Sequence, residues 1–154
     1  MFETEKFSLI ANDLFLDFVN TLKVRDGQPF ETLENCTDFV AWAVAVKLIE
    51  LEQATEIFQK WCEEISTNKA LQKTIKFRNI LREMVENIVE KKELSQTAIS
   101  AINEKLKKIT GFTEIVKGEE GFEKRYEFDL SEPSNLLQPI AESAADFLCY
   151  GNFE

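Results

Sequence analysis

Leu14-Phe15-Leu16-Asp17-Phe18-Val19-Asn20-Thr21-Leu22, with Lys23-Val24-Arg25 directly behind it, carries the signal on which the fold turns. Wound at about 100° per residue, Leu14, Phe15, Phe18 and Leu22 share one face, while Leu16 and Val19 point elsewhere. A helix that is apolar almost all round is a buried one. The pattern predicts a single helix running through Arg25, with Asp17, Asn20, Thr21 and Arg25 on it. Asp17 and Asn20 then lie against protein, where an unpaired carboxylate costs several kcal/mol or takes up a proton. They need partners elsewhere in the chain.

The totals describe one ordinary domain. A chain of 154 residues with 44% apolar and 30% charged side chains, 13 Phe, 5 Gly and 3 Pro fits a compact, helix-rich globule. The longest apolar run, Phe39 to Val46, stops at Lys47, and Met1-Phe2-Glu3-Thr4-Glu5 has no basic start, so neither a membrane span nor a secretion signal is predicted. Cys36, Cys62 and Cys149 are odd in number and far apart, which argues against a disulfide framework and fits a reducing cytoplasm. With no His and no close Cys pair, no metal site and no cofactor are expected. The net charge of −10 disfavours phosphate-backbone binding. It divides as −5 over residues 1–50, +2 over 51–110 and −7 over 111–154. The middle is only mildly basic, so DNA would be gripped by another segment.

Along the chain, Ser8 or Asn12 is a candidate cap for the first helix, and Asp26-Gly27-Gln28-Pro29 turns the chain into a loop. Thr37 is expected to cap a second helix carrying Phe39, Val40, Trp42, Ala43, Val44 and Val46. A third, Leu48 to Ile65, places Leu51, Ala54, Ile57, Phe58, Trp61 and Ile65 on one side. Both tryptophans read as packing residues. From about Asn68 to Lys92 runs the longest helix, with Phe77, Leu81, Met84, Val85 and Ile88 forming its apolar face. Arg78 falls about 60° from Leu81, at the edge of that face, and can turn its guanidinium inward. Arg82, at about 100°, is predicted to face water.

Ser95 should cap a helix burying Ala98, Ile99, Ile102, Leu106 and Ile109. Phe112–Val116 and Phe122–Leu130 then form a β-hairpin around Gly118-Glu119-Glu120-Gly121. In its second strand Phe122, Tyr126, Phe128 and Leu130 alternate with charged residues, Lys124 being the misfit, as in a sheet with one covered face. Pro133-Ser134 opens a last helix, Leu136 to Leu148. The fold class is therefore α+β: a mainly helical single domain of about six helices with a small antiparallel hairpin near residues 112–130.

The order Leu16-Asp17-Phe18-Val19-Asn20-Thr21, then Arg25, Trp42 and Phe77-Arg78-Asn79-Ile80-Leu81-Arg82, resembles the ABATE domain over nearly the whole chain. That is the N-terminal domain of bacterial proteins described as candidate stress-induced transcription regulators, which usually continue into a CGNR-type zinc finger. The resemblance implies a mixed α and β fold and a regulatory role, with DNA contact left to the finger. Residues 1–154 would then be the ABATE-like domain alone. Cys149-Tyr150-Gly151-Asn152-Phe153-Glu154 is not that finger, since zinc-ligand pairs and basic residues do not surround it. The expectation is a fragment trimmed before the finger, the alternative being a member without one.

The candidate site is the polar set on otherwise apolar helices: Asp17, Asn20, Thr21 and Arg25, joined by Arg78. Two readings stay open. In one, Arg78 or Arg25 makes a forked contact to a small anionic or polar ligand and Asn20 orients it. In the other, Asp17 pairs with Arg78 and Asn20 ties down a loop, giving an internal network that binds nothing. Catalysis is not expected, because a general-acid His, a Gly-rich phosphate loop and a nucleophile elbow are all missing, and Glu63-Glu64 and Glu119-Glu120 read as solvated surface. The functional expectation is a ligand-sensing domain of a cytoplasmic transcription regulator, reaching DNA only through a segment outside this chain. The competing expectation is a non-enzymatic interaction or dimerisation module without a ligand. Homo-oligomerisation is compatible with either.

Overall fold

The computed structural model describes residues 4–7, 9, 13–62 and 66–151. Six α-helices and two antiparallel hairpins follow one another as α1 (Leu14–Val19), β1 (Leu22–Arg25), β2 (Gln28–Glu31), α2 (Cys36–Ala45), α3 (Leu51–Cys62), α4 (Ser66–Val89), α5 (Gln96–Lys107), β3 (Gly111–Gly118), β4 (Gly121–Phe128) and α6 (Leu137–Tyr150). A 3₁₀ turn, Pro133–Leu136, leads into α6. The α+β, mainly helical architecture is as expected. No helix among the described residues is long and apolar enough to cross a membrane.

α1 is the hub. Phe15 and Phe18 are completely buried. The Phe18 ring lies 5.3 Å from Trp42 of α2 and 6.3 Å from Phe77 of α4, so one side chain joins three helices. Phe15 meets Phe147 of α6 at 4.8 Å. Around these rings close Leu33, Phe39, Val40, Leu81, Met84, Leu136, Leu137 and Ile140. Both tryptophans pack as predicted, and Trp61 Nε1 also donates to the Leu130 carbonyl at 2.8 Å. The predicted face of α4 is likewise the buried one, whereas Ile109 and Leu51 are exposed.

The first helix ends six residues before Arg25. Thr21 Oγ1 donates to the Phe18 carbonyl at 2.7 Å, Asn20 is the last capping residue, and the chain turns out into β1. Asp26 (φ 52°) and Gly27 (φ 77°) both take left-handed conformations, the backbone of a two-residue hairpin turn that matches the twist of its strands. Leu22 thereby faces Glu31 and Arg25 faces Gln28. The expected loop after Arg25 is a hairpin, and Thr21 and Arg25 are not on a helix.

Caps differ in instructive ways. The cap of α2 is Asn35, which accepts from Asp38 N at 3.0 Å while Asp38 accepts in return from Asn35 N at 3.2 Å, so Thr37 lies inside the helix. Ser95 caps α5 as predicted. Ser8 and Asn12 lie outside the described residues. The start of α1 is capped from another helix: Phe15 N donates to Ser143 Oγ of α6 at 3.1 Å, and that hydroxyl donates to Asp13 Oδ1 at 2.6 Å.

Cys36 and Cys62 form a disulfide with Cα atoms 5.5 Å apart, and Cys149 is free and exposed. This corrects the reading of isolated thiols and removes the cysteine argument for a reducing compartment. α2 and α3 run back to back through the turn at 46–50, which brings the first residue of one beside the last of the other. Distance along the chain concealed the pair.

The β3–β4 hairpin has the predicted place, and its register sets Thr113 opposite Tyr126 and Ile115 opposite Lys124. Its base is tied down by Asp129 N to Thr110 O at 2.8 Å, Thr110 Oγ1 to Asn135 O at 2.8 Å and Asn135 Nδ2 to Asp129 O at 2.7 Å. Gly111 lets the strands meet, since a Cβ there would lie 2.1 Å from the Glu127 carbonyl oxygen. Only this base leans on the helices: Ile115 and Phe122, on the same face as Tyr126 and Phe128, are 74% and 80% exposed, so the covered face expected along the whole strand is bare towards the tip.

Candidate functional site

Arg78 does turn inward, and it is 1% exposed. Nη1 and Nη2 donate in a fork to Glu31 Oε1 and Oε2 at 2.6 and 2.7 Å, Nη1 also reaches Thr21 Oγ1 at 3.3 Å, and Nε and Nη2 donate to Asn79 Oδ1 at 3.2 and 2.9 Å. A guanidinium has five N–H groups, and these five bonds occupy them. The Glu31 carboxylate additionally accepts from Leu33 N at 2.9 Å. Burial pushes the Glu31 carboxyl up, but the hydrogen bonds from Arg78 and Leu33 and the Arg78 charge outweigh it and hold the group below its ordinary value. Arg82, expected in water, donates to the Leu22 carbonyl at 2.8 Å. Two arginines of α4 thus clasp the β1–β2 hairpin.

Of the five predicted site residues the structure brings Arg78 and Thr21 together. Asp17 is buried on the wall of a different hollow, Asn20 is half-buried at the end of α1, and Arg25 is exposed with its guanidinium 4.1 Å above the Phe30 ring. The forked partner of Arg78 is Glu31, where Asp17 was expected. Glu31 and Asn79 were missed. The signal for Glu31 was Asp26-Gly27, the pair that favours a tight hairpin and so returns the chain to Leu22.

The open space lies elsewhere, in a trough between the β3–β4 hairpin and the helices. Hollows of about 450, 270 and 340 Å³ all have Tyr126 in their walls. The largest is floored by Leu48 and Ile49 of the α2–α3 turn and lined by Lys47, Glu50, Lys124 and Arg125. Arg125 Nε stands 3.8 Å from Glu50 Oε1 across it. The second adds Asp13 and Asp17, and the third Ser143 and Asp146.

A family model matches residues 12–151: ABATE, described as "Putative stress-induced transcription regulator". The chain belongs to the ABATE family. Neither the search of curated proteins nor that of solved structures returns a match.

Within this ABATE domain the two polar regions differ in what they can do. At Arg78 every donor is engaged inside the protein, so a ligand would have to break bonds already made. Along the trough the charged ends other than buried Asp17 are half-exposed or exposed and the floor is apolar, the mixture typical of small-molecule sites. Lys47 has φ 63°, the left-handed conformation after a helix end that Gly usually fills. A lysine is held there at a cost of about 1 kcal/mol with its side chain on the hollow, and Lys91, with φ 57°, takes the same conformation after α4.

Proposed function

We propose that this ABATE domain is the ligand-sensing, non-enzymatic part of a bacterial cytoplasmic transcription regulator, with DNA contact made by a segment outside this chain. The ligand is a small anionic or polar molecule held in the trough, with Lys47, Lys124 and Arg125 as its cations and Tyr126 as its wall. Asp17 stays at the margin of the site, while Arg78, Thr21, Asn20 and Arg25 serve the framework. The observation that carries this reading is the hollow of about 450 Å³ with an apolar floor and a rim on which Lys47, Lys124 and Arg125 alternate with Glu50, Glu123 and Glu127, a volume within the range of small-molecule sites. Binding matters for regulation only through a difference in affinity between two arrangements of the hairpin against the helices.

The test is a thermal-shift screen of carboxylates and phosphate esters on the native chain, Lys47→Gly and Arg78→Met. A ligand at 100 times its Kd stabilises by about 2.7 kcal/mol. Lys47→Gly should melt no lower than native yet lose most of that increment, whereas Arg78→Met should melt lower and keep it. A ligand whose increment survives in Lys47→Gly and disappears in Arg78→Met would return the site to the guanidinium. A screen without any binder would favour the interaction module. That second reading is favoured by the bare Ile115 and Phe122 on one face of the hairpin, and sedimentation of native against Phe122→Ser examines it.

A further inference from the structure

The disulfide closes a loop of 26 residues whose contents are informative: all of α2, the turn at 46–50 and all of α3. The helical wall of the large hollow, Lys47, Leu48, Ile49, Glu50, Leu51 and Gln53, lies inside it. α2 is secured without the bond, by buried Phe39, Val40, Trp42 and Ala43 and by the Asn35–Asp38 cap. α3 is not. It packs mainly on α2, buries Ala54, Ile57 and Trp61, and is pinned near its end by the Trp61–Leu130 hydrogen bond and the disulfide. Two antiparallel helices joined at both ends, by a turn and by a covalent bond, cannot splay. Freed at one end they can pivot about the turn that floors the trough. Both cysteines are half-buried, within reach of a small thiol.

We propose that Cys36–Cys62 is a reversible thiol–disulfide switch, opened by a low-molecular-weight thiol, that loosens the α2–α3 wall of the trough. The step is ordinary exchange: a thiolate of the small molecule attacks one sulfur, the Cys36–Cys62 bond breaks, a mixed disulfide forms and the other cysteine leaves as a thiolate. A second small thiolate then attacks the mixed disulfide. The products are one small-molecule disulfide and two protein thiolates that take protons from water, so two electrons pass from the small thiols to the protein. A domain with a core of this extent does not need the bond in order to fold, which is what a switch requires.

The full chain carrying Cys149→Ser isolates the pair. In native buffer the oxidised protein should take up no iodoacetamide, and after treatment with glutathione it should take up two. Opening should shift the emission of Trp42 and Trp61, both inside the loop, and lower Tm by roughly 5–10 °C. Amides 46–53 should exchange roughly tenfold faster or more, and by a larger factor than those of 77–84 in α4, which change only with global stability. Oxidised glutathione should reverse every change, and Cys36→Ser should resemble the reduced protein. A pair that stays closed until the whole chain melts, or one that opens without faster exchange at 46–53, would overturn the proposal.

Discussion

Glu31 and Arg78 show how unequal the two halves of one ion pair can be. Arg78 is 1% exposed and its partner carboxylate 32%. Removing the acid strands a buried guanidinium, a loss of about 3–5 kcal/mol, whereas removing the cation leaves a carboxylate that water can still reach. Glu31→Ala should therefore destabilise more than Arg78→Met, as read by urea unfolding. The pH dependence follows from the lowered Glu31 value. A group whose folded pKa lies below its unfolded one contributes stability above the unfolded value, near 4.5, and loses it as pH falls through the folded value. Native protein should lose stability on acidification from about pH 5, and Arg78→Met should lose less over the same interval. A slope that Arg78→Met leaves unchanged would show that the pair is not what acid breaks. Inward placement of Arg78 was legible from its angle on the helix. Its partner was not, because Glu31 lies in a segment read as loop.

Single helices here borrow their ends from neighbours. α1 has six residues, too few for stability of its own, and Ser143 on α6 supplies its cap. Ser143→Ala should cost about 1 kcal/mol in urea unfolding, although nothing local to α6 changes. A loss no larger than that of an exposed α6 control such as Glu142→Ala would remove the cap from the account. Periodicity located α2, α4, α5, α6 and the second hairpin because each has a repeated apolar face over ten or more residues or a two-residue alternation. It overran at α1, where Leu22 continued the helical pattern while Thr21 had already taken the Phe18 carbonyl. A hydroxyl one turn on looks the same in sequence whether it ends a helix or rides along it.

For the whole molecule the acid excess of −10 sets the partners that the domain by itself can hold. The isolated chain should not shift duplex DNA at about 150 mM salt, and a retarded band that weakens steeply with salt would contradict the proposed division of labour. Composition and hydrophobic period determined the fold class, most of the helices, the second hairpin and the buried aromatic residues, because each depends on neighbours within a few turns. The order of residues from Leu16 to Arg82 also carried the family. The ion pair between Arg78 and Glu31, the disulfide between Cys36 and Cys62, the borrowed cap and the trough around Tyr126 were decided by tertiary structure alone. Each joins groups from different elements, and which groups meet depends on how helices and hairpins close on one another.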